Sequence, residues 1–195
     1  MKTFLAVIAM LGLVAAPAMA AIEKGNSELG LSLSLQGGST TYTSDFGDSV
    51  SKKSMQTAMF SYGYFMSQKS QIGAMVTLSR YAVTTEGSSV KGAPGNGNLG
   101  FFYKYHFIGS NPKMVPYAGI GFTKGFIIGE DKDNPSPSEM GYGVNAGLKA
   151  FMSEKTAIGP ELRYDITKST LSSTYGDFSG TGSDLTLALN LTTLF

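Results

Sequence analysis

Apolar and polar residues alternate with a period of two in eight segments of this chain. In the first segment, Leu29, Leu31, Leu33 and Leu35 alternate with glycine and serine. Such alternation is typical of a β-strand with one apolar face and one polar face. The apolar faces of the eight predicted strands fall within residues 29–35, 58–64, 72–78, 99–107, 118–122, 142–148, 158–166 and 185–195.

The segments between these strands alternate in length. Residues 37–54, 84–97, 125–138 and 167–183 form long polar connections, whereas 67–70, 109–113 and 153–155 are short. An even number of antiparallel strands with short turns at one end and long loops at the other is typical of a transmembrane β-barrel. This arrangement predicts that both termini are periplasmic and that four loops are extracellular.

A soluble β-sandwich is the alternative to the barrel, because it also has alternating strands. The polar faces here carry glycine, serine, threonine and asparagine, with charged residues in the middle of several strands. A closed barrel turns its apolar face to lipid, packs this polar face inside and satisfies every backbone hydrogen bond. The sequence therefore predicts an all-β fold, an eight-stranded antiparallel up-and-down transmembrane barrel.

The amino-terminal residues have the pattern of a secretory signal peptide. Lys2 precedes an apolar stretch over 4–16, and Ala18-Met19-Ala20 offers a cleavage site. We therefore expect a signal peptide at residues 1–20 and a single barrel domain at 21–195. Without Lys2, the 15 basic residues fall to 14 and equal the 14 acidic ones, so no excess of positive charge indicates nucleic acid as a partner. The absence of cysteine excludes disulfides and thiolate sites.

The last strand, with an aromatic residue at its end, resembles the last strand of Gram-negative outer-membrane barrels. By this resemblance Leu187, Leu189, Leu191 and Phe195 form the signal that the barrel-assembly machinery reads. Three further segments, Pro-Tyr-Ala-Gly-Ile-Gly at 116–121, the glycine-rich 141–147 and Pro-Glu-Leu-Arg-Tyr at 160–164, extend the resemblance.

The chain as a whole resembles the small eight-stranded outer-membrane family that includes the OmpA transmembrane domain and OmpX-like proteins. The resemblance implies an integral, non-enzymatic protein of the outer membrane that needs no cofactor. Its loops would serve envelope integrity or contact with an extracellular partner. Two alternatives stay open: a narrow pore or small-molecule conduit, and a lipid A-modifying enzyme.

Several charged residues are predicted to face the lumen. Because an isolated buried charge is very costly, these residues should be paired. If the turn at 153–155 is centred on Lys155, then Lys149 and Glu161 lie directly opposite and form an ion pair. A path for protons or ions is the alternative to a structural network. The predicted lumen network consists of Lys104, His106, Lys149, Glu161 and Arg163.

His106 is the single histidine and the obvious candidate for catalysis. It should lie toward the periplasmic end of its strand, away from the lipid A of the outer leaflet. No serine and acid are identifiable beside it, so we assign neither catalytic nor metal-binding residues.

Other side chains are predicted to contact the membrane. Arg80 is expected to face outward near the outer leaflet, where it could meet a lipopolysaccharide phosphate. Aromatic residues commonly form girdles at the two membrane interfaces of a barrel. The predicted interfacial aromatics are Tyr64, Tyr105, Phe107, Tyr142, Tyr164 and Phe195.

Overall fold

The computed structural model describes residues 22–44, 47–85, 88–91, 96–127, 138–173 and 176–195. The predicted signal peptide therefore lies outside the described residues. No helix within these ranges has the length and hydropathy needed to cross a membrane. The strands are β1 (Ser27–Ser44), β2 (Gly47–Phe65), β3 (Ser70–Thr85), β4 (Ser88–Lys91), β5 (Asn96–His106), β6 (Met114–Ile127), β7 (Ser138–Phe151), β8 (Thr156–Ser173) and β9 (Gly176–Leu194).

The strands form a closed antiparallel barrel. β1 pairs with both β2 and β9, and the sheet continues through β8, β7, β6 and β5 to β3, which pairs back onto β2. β4 and β5 both pair with β3, and the ladder of β4 with β3 continues where that of β5 ends. The two segments therefore count as one strand, the fourth of the eight that form the barrel. The predicted fold class is confirmed.

The strands continue well beyond the predicted apolar segments. Pairing between β1 and β2 runs to Ser44 and Gly47, and pairing between β8 and β9 runs to Ser173 and Gly176. The prediction that residues 37–54 and 167–183 are loops is therefore wrong for most of their length. In the sequence of these extensions serine and threonine fall at both odd and even positions, which removes the alternation signal. The backbone ladder of a hairpin continues regardless of this polarity.

The two faces of the barrel are those that the alternation predicts. The leucines of β1 and alternate apolar residues of β2, β5 and β9 point outward, and Leu187 is 61% exposed. In β2, β5 and β9 the outward set includes Phe60, Tyr62, Tyr64, Phe101, Tyr103, Tyr105, Leu185, Leu187 and Leu191. Their inward neighbours, such as Ser32, Thr186 and Asn190, are buried. Lipid takes the place of a protein core on the outer face, so apolar exposure here marks the membrane-facing band.

An apolar layer closes the lumen at the end where the short turns meet the first and last described residues of the chain. Gly25, with a φ of 96°, turns the chain so that its N–H donates to the carbonyl of Phe65 over 2.8 Å. A residue with a Cβ adopts this left-handed conformation only at a cost. The turn brings Ile22 into the barrel mouth. The buried layer consists of Ile22, Phe65, Val115, Phe151, Ala157 and Leu194.

Candidate functional site: the polar network of the lumen

Glu161 of β8 is the centre of the first cluster of charged groups in the lumen. Its Oε2 lies 3.0 Å from Lys104 Nζ, and its Oε1 accepts a hydrogen bond of 2.8 Å from Arg163 Nη2. Tyr117 Oη and Asn145 Nδ2 also donate to Oε2, over 2.8 Å and 2.9 Å. The residue is 1% exposed. Four donors thus saturate one buried carboxylate, as a buried charge requires.

Glu28 of β1 is the centre of the second cluster. Its Oε2 forms a salt bridge with Lys149 Nζ, and its Oε1 accepts a hydrogen bond of 3.1 Å from Gln71 Nε2. Glu28, Lys149 and Gln71 are all buried. They belong to β1, β7 and β3, so the cluster crosses the barrel from one wall to the other.

Tyr117 joins the two clusters. Lys104 Nζ lies 4.7 Å from the centre of its ring and Lys149 Nζ lies 5.7 Å away, both within range of a cation–π contact. Asn190 Nδ2 donates to the Tyr117 hydroxyl oxygen over 3.0 Å, while that hydroxyl donates to Glu161. One aromatic residue therefore couples lysines from both clusters.

His106 lies on the short-turn side of this network, between Tyr117 and Phe65, and forms no ion pair among the described residues. Its ring is 0% exposed and packs 5.1 Å from Phe65 and 5.7 Å from Tyr117, measured between ring centres. Neither ring nitrogen has a hydrogen-bond partner within the described part of the chain. The imidazole marks the boundary between the polar network and the apolar layer.

The predicted direct pairing of Lys149 with Glu161 is wrong. Glu161 is opposite Gly147, and Ala150 is opposite Ile158, which places the centre of the turn at Glu154 instead of Lys155. Lys149 and Glu161 both still point into the lumen, because the shift preserves the side-chain alternation. Lys149 binds Glu28 instead, and Glu161 binds Lys104.

Glu28 directly precedes Leu29, which puts it on the polar side of the first alternating segment, but it is not among the predicted network residues. Its partner is on β7, far away in the chain and near in space only after the barrel closes. The requirement that each buried cation have an anion could have identified it, since the predicted set held three permanent cations and one carboxylate.

Little free volume is left between the two clusters. A cavity of about 10 Å³ lies there, with room for roughly one water molecule. Its wall includes residues that surround the carboxylates of Glu28 and Glu161, among them Lys104, Tyr117, Lys149 and Asn190. Side chains of the network, and of the apolar layer on its short-turn side, thus occupy this part of the lumen.

The other candidate residues lie on the outer face of the barrel. Tyr64, Tyr105, Phe107 and Phe195 are exposed near the short turns, and Tyr142 and Tyr164 are exposed farther from them. The rings of Tyr105 and Phe107 are 5.2 Å apart, and those of Tyr62 and Phe195 are 6.4 Å apart. In β9, Leu187 and Leu191 are exposed and Leu189 is half-buried. The side chain of Arg80 lies outside the described part of the structure.

Comparisons with known proteins agree with this architecture. The structure aligns with outer membrane protein OprG of Pseudomonas aeruginosa at a TM-score of 0.63 and 12% identity, covering 91% of this chain and 99% of that chain. It aligns with a de novo designed transmembrane β-barrel at a TM-score of 0.51 and 10% identity, covering 89% and 98%. No curated protein sequence matches the chain. Residues 6–191 match the outer membrane protein beta-barrel domain, and the chain belongs to that family.

Proposed function

We propose that this integral outer-membrane barrel is a non-enzymatic anchor that presents its long hairpins at the cell surface, for envelope integrity or surface contact. The observation that carries the proposal is the filled lumen. Saturated ion pairs occupy its middle and a continuous apolar layer occupies the end with the short turns. Eight strands enclose a space that side chains alone can fill.

The orientation follows from the hairpins. Barrels of this class carry short turns on the periplasmic side and longer connections outside. Here the turns at 66–69 and 152–155 lie at the same end as the first and last described residues, Ile22 and Phe195, whereas β1–β2 and β8–β9 extend far at the opposite end. We therefore place the termini in the periplasm and the long hairpins outside.

Conductance in planar lipid bilayers tests the proposal. The refolded protein should give no steady, reproducible current steps, because ions would have to displace paired charges and then cross an apolar layer. A general porin in the same bilayers provides the positive control. The matched variant Phe65→Ala/Phe151→Ala thins the apolar layer and should raise the frequency of brief openings. Steady steps from the unmodified protein would contradict the proposal and favour a narrow pore.

The enzymatic alternative has a separate test. Lipid A mass spectra of cells with and without the gene should be identical if the barrel does not modify lipid. A difference that disappears in a His106→Ala variant would contradict the non-enzymatic assignment.

A further inference from the structure

Two lysines point outward from neighbouring parts of the barrel wall. Lys124 of β6 is opposite Met140 of β7, and Met140 is in turn opposite Lys168 of β8. All three side chains are exposed. Adjacent strands are about 4.8 Å apart, so the two lysine backbones are roughly 10 Å apart along one row of the sheet. We call this row of Lys124, Met140 and Lys168 the lysine row.

The lysine row borders the apolar band on the side of the long hairpins. The row directly below it consists of Phe122, Tyr142 and Ile166, which are opposite one another on the same three strands. On β6, the outward residues from Met114 to Phe122 contain no charge. Ten residues at about 3.4 Å each, tilted by about 40°, place Lys124 roughly 26 Å above Met114. This height matches an apolar band of about 25 Å.

The positive charge of the row is not balanced by the described part of the barrel. Among the carboxylates whose side chains the structure describes, the five on strands belong to the inward-facing alternation: Glu28, Glu139, Glu161, Asp165 and Asp184. Glu23 and Glu154 lie at the opposite end, beside the short turns. No described carboxylate forms an ion pair with Lys124 or Lys168.

We propose that Lys124 and Lys168 bind the phosphate groups of lipopolysaccharide, the phosphorylated glycolipid of the outer leaflet. At this height the row meets the layer where lipid phosphates lie, and an outward ammonium there finds its counter-charge in the lipid. Met140 between the lysines, and the ring of Tyr142 in the next row on the same strand, give the adjoining acyl chains an apolar contact. The inference rests on the proposed orientation, with the long hairpins outside.

Binding by the purified, folded barrel in detergent tests the inference. The protein is titrated with purified lipopolysaccharide, with the same material after phosphatase treatment, and with phosphatidylglycerol, and bound lipid is counted by native mass spectrometry. The test variant is Lys124→Gln/Lys168→Gln. The matched control, Lys69→Gln/Lys155→Gln, removes two exposed lysines at the short-turn end. Lys124→Arg/Lys168→Arg tests rescue by charge.

Each basic residue beside an anionic surface raises the binding affinity about fivefold. The test variant, which lacks two of them, should therefore bind lipopolysaccharide about thirtyfold more weakly. The control and the arginine variant should bind as the unmodified protein does, and phosphatase treatment should abolish the difference. Equal binding by the folded test variant, or equal retention of phosphatidylglycerol, would overturn the inference.

Protease treatment of intact cells separates this inference from the proposed function. Cleavage in the long hairpins together with unimpaired lipid binding by the test variant would overturn the lipopolysaccharide site alone. Hairpins protected in intact cells would overturn the orientation and, with it, the lipid assignment, whereas conductance steps would bear on the proposed function alone.

Discussion

At the scale of single residues, Glu161 organises the interior of the barrel. It accepts hydrogen bonds from residues of β5, β6 and β7 and from Arg163 of its own strand. A carboxylate with this many donors ties four neighbouring strands together from the inside. Such a network stabilises the barrel only while every member is paired.

Glu161→Gln should therefore destabilise the barrel strongly. The amide keeps the shape but removes the negative charge, which leaves the buried Lys104 and the half-buried Arg163 without a counter-ion. We expect the free energy of unfolding to fall by about 3 kcal/mol, measured by urea titration in lipid vesicles.

Glu154→Gln, in the exposed turn, is the matched control and should leave stability almost unchanged. Adding Lys104→Met to Glu161→Gln should recover part of the loss, because one unpaired cation is removed. Equal stability of Glu161→Gln and the unmodified protein would show that the ion pairs are dispensable.

Gly159 has a different role, set by the backbone. A Cβ at this position would collide with the carbonyl oxygen of Leu148 on β7, which is backbone and has no side-chain freedom to yield. Gly159→Ala should thus reduce the yield of folded barrel, seen as loss of the band that shifts on heating in gel electrophoresis. Gly37→Ala is the control, since nothing lies within 4 Å of its Cβ position, and it should fold normally.

At the scale of elements, β7 and β8 form an interrupted ladder. Pairs are present at Gly147–Glu161 and Ala150–Ile158 but missing at the two positions between them. Both missing pairs would use an N–H at residue 160, which proline lacks. The register is the same on each side, so Pro160 removes a hydrogen bond without creating a bulge.

β9 closes the barrel, and Phe195, the residue predicted to guide assembly, follows directly after its last residue. Phe195→Ala should reduce the amount of protein in isolated outer membranes, because the assembly machinery loses its aromatic contact, while refolding of the purified chain into vesicles should proceed as before. Phe101→Ala is the matched control, since Phe101 is 71% exposed in the middle of the lipid-facing wall. Equal losses for both variants would mean that Phe195 contributes ordinary lipid contact alone.

At the scale of the whole molecule, the barrel is taller than a membrane requires. A transmembrane strand needs about 9–11 residues, whereas β2 and β9 have 19 each. In sequence, the paired extensions at the long-hairpin end are rich in serine and threonine and hold a single leucine, Leu171. They should contribute surface and little stability.

Deleting Thr40–Ser51 and joining the paired residues Ser39 and Lys52 through Asn-Gly should leave a folded barrel that still shifts on heating. A longer deletion, from Leu33 to its partner Ala58, should abolish the shift, because the strands become too short to cross the membrane. Loss of the shift in the shorter deletion would show that the extensions help hold the barrel together.

Local sequence was enough to predict much of the fold. Which side chains face lipid and which face the lumen depends on period-two alternation, a property of neighbouring residues, and Leu29, Tyr105 and Glu161 all point as predicted. The extended hairpins escaped prediction because polar residues fall at both odd and even positions of their sequence, so no alternation marks them.

The sequence by itself determined the barrel class, the apolar band and the polarity of the interior, because lipid requires an apolar side chain at each outward position within the band. Only the tertiary structure decided the partners. Lys149 binds Glu28, and Tyr117 couples the two clusters, because closure and the stagger between strands bring together residues from distant parts of the chain. A one-position change in the centre of a turn moves each cross-strand partner by two residues, which local patterns cannot reveal.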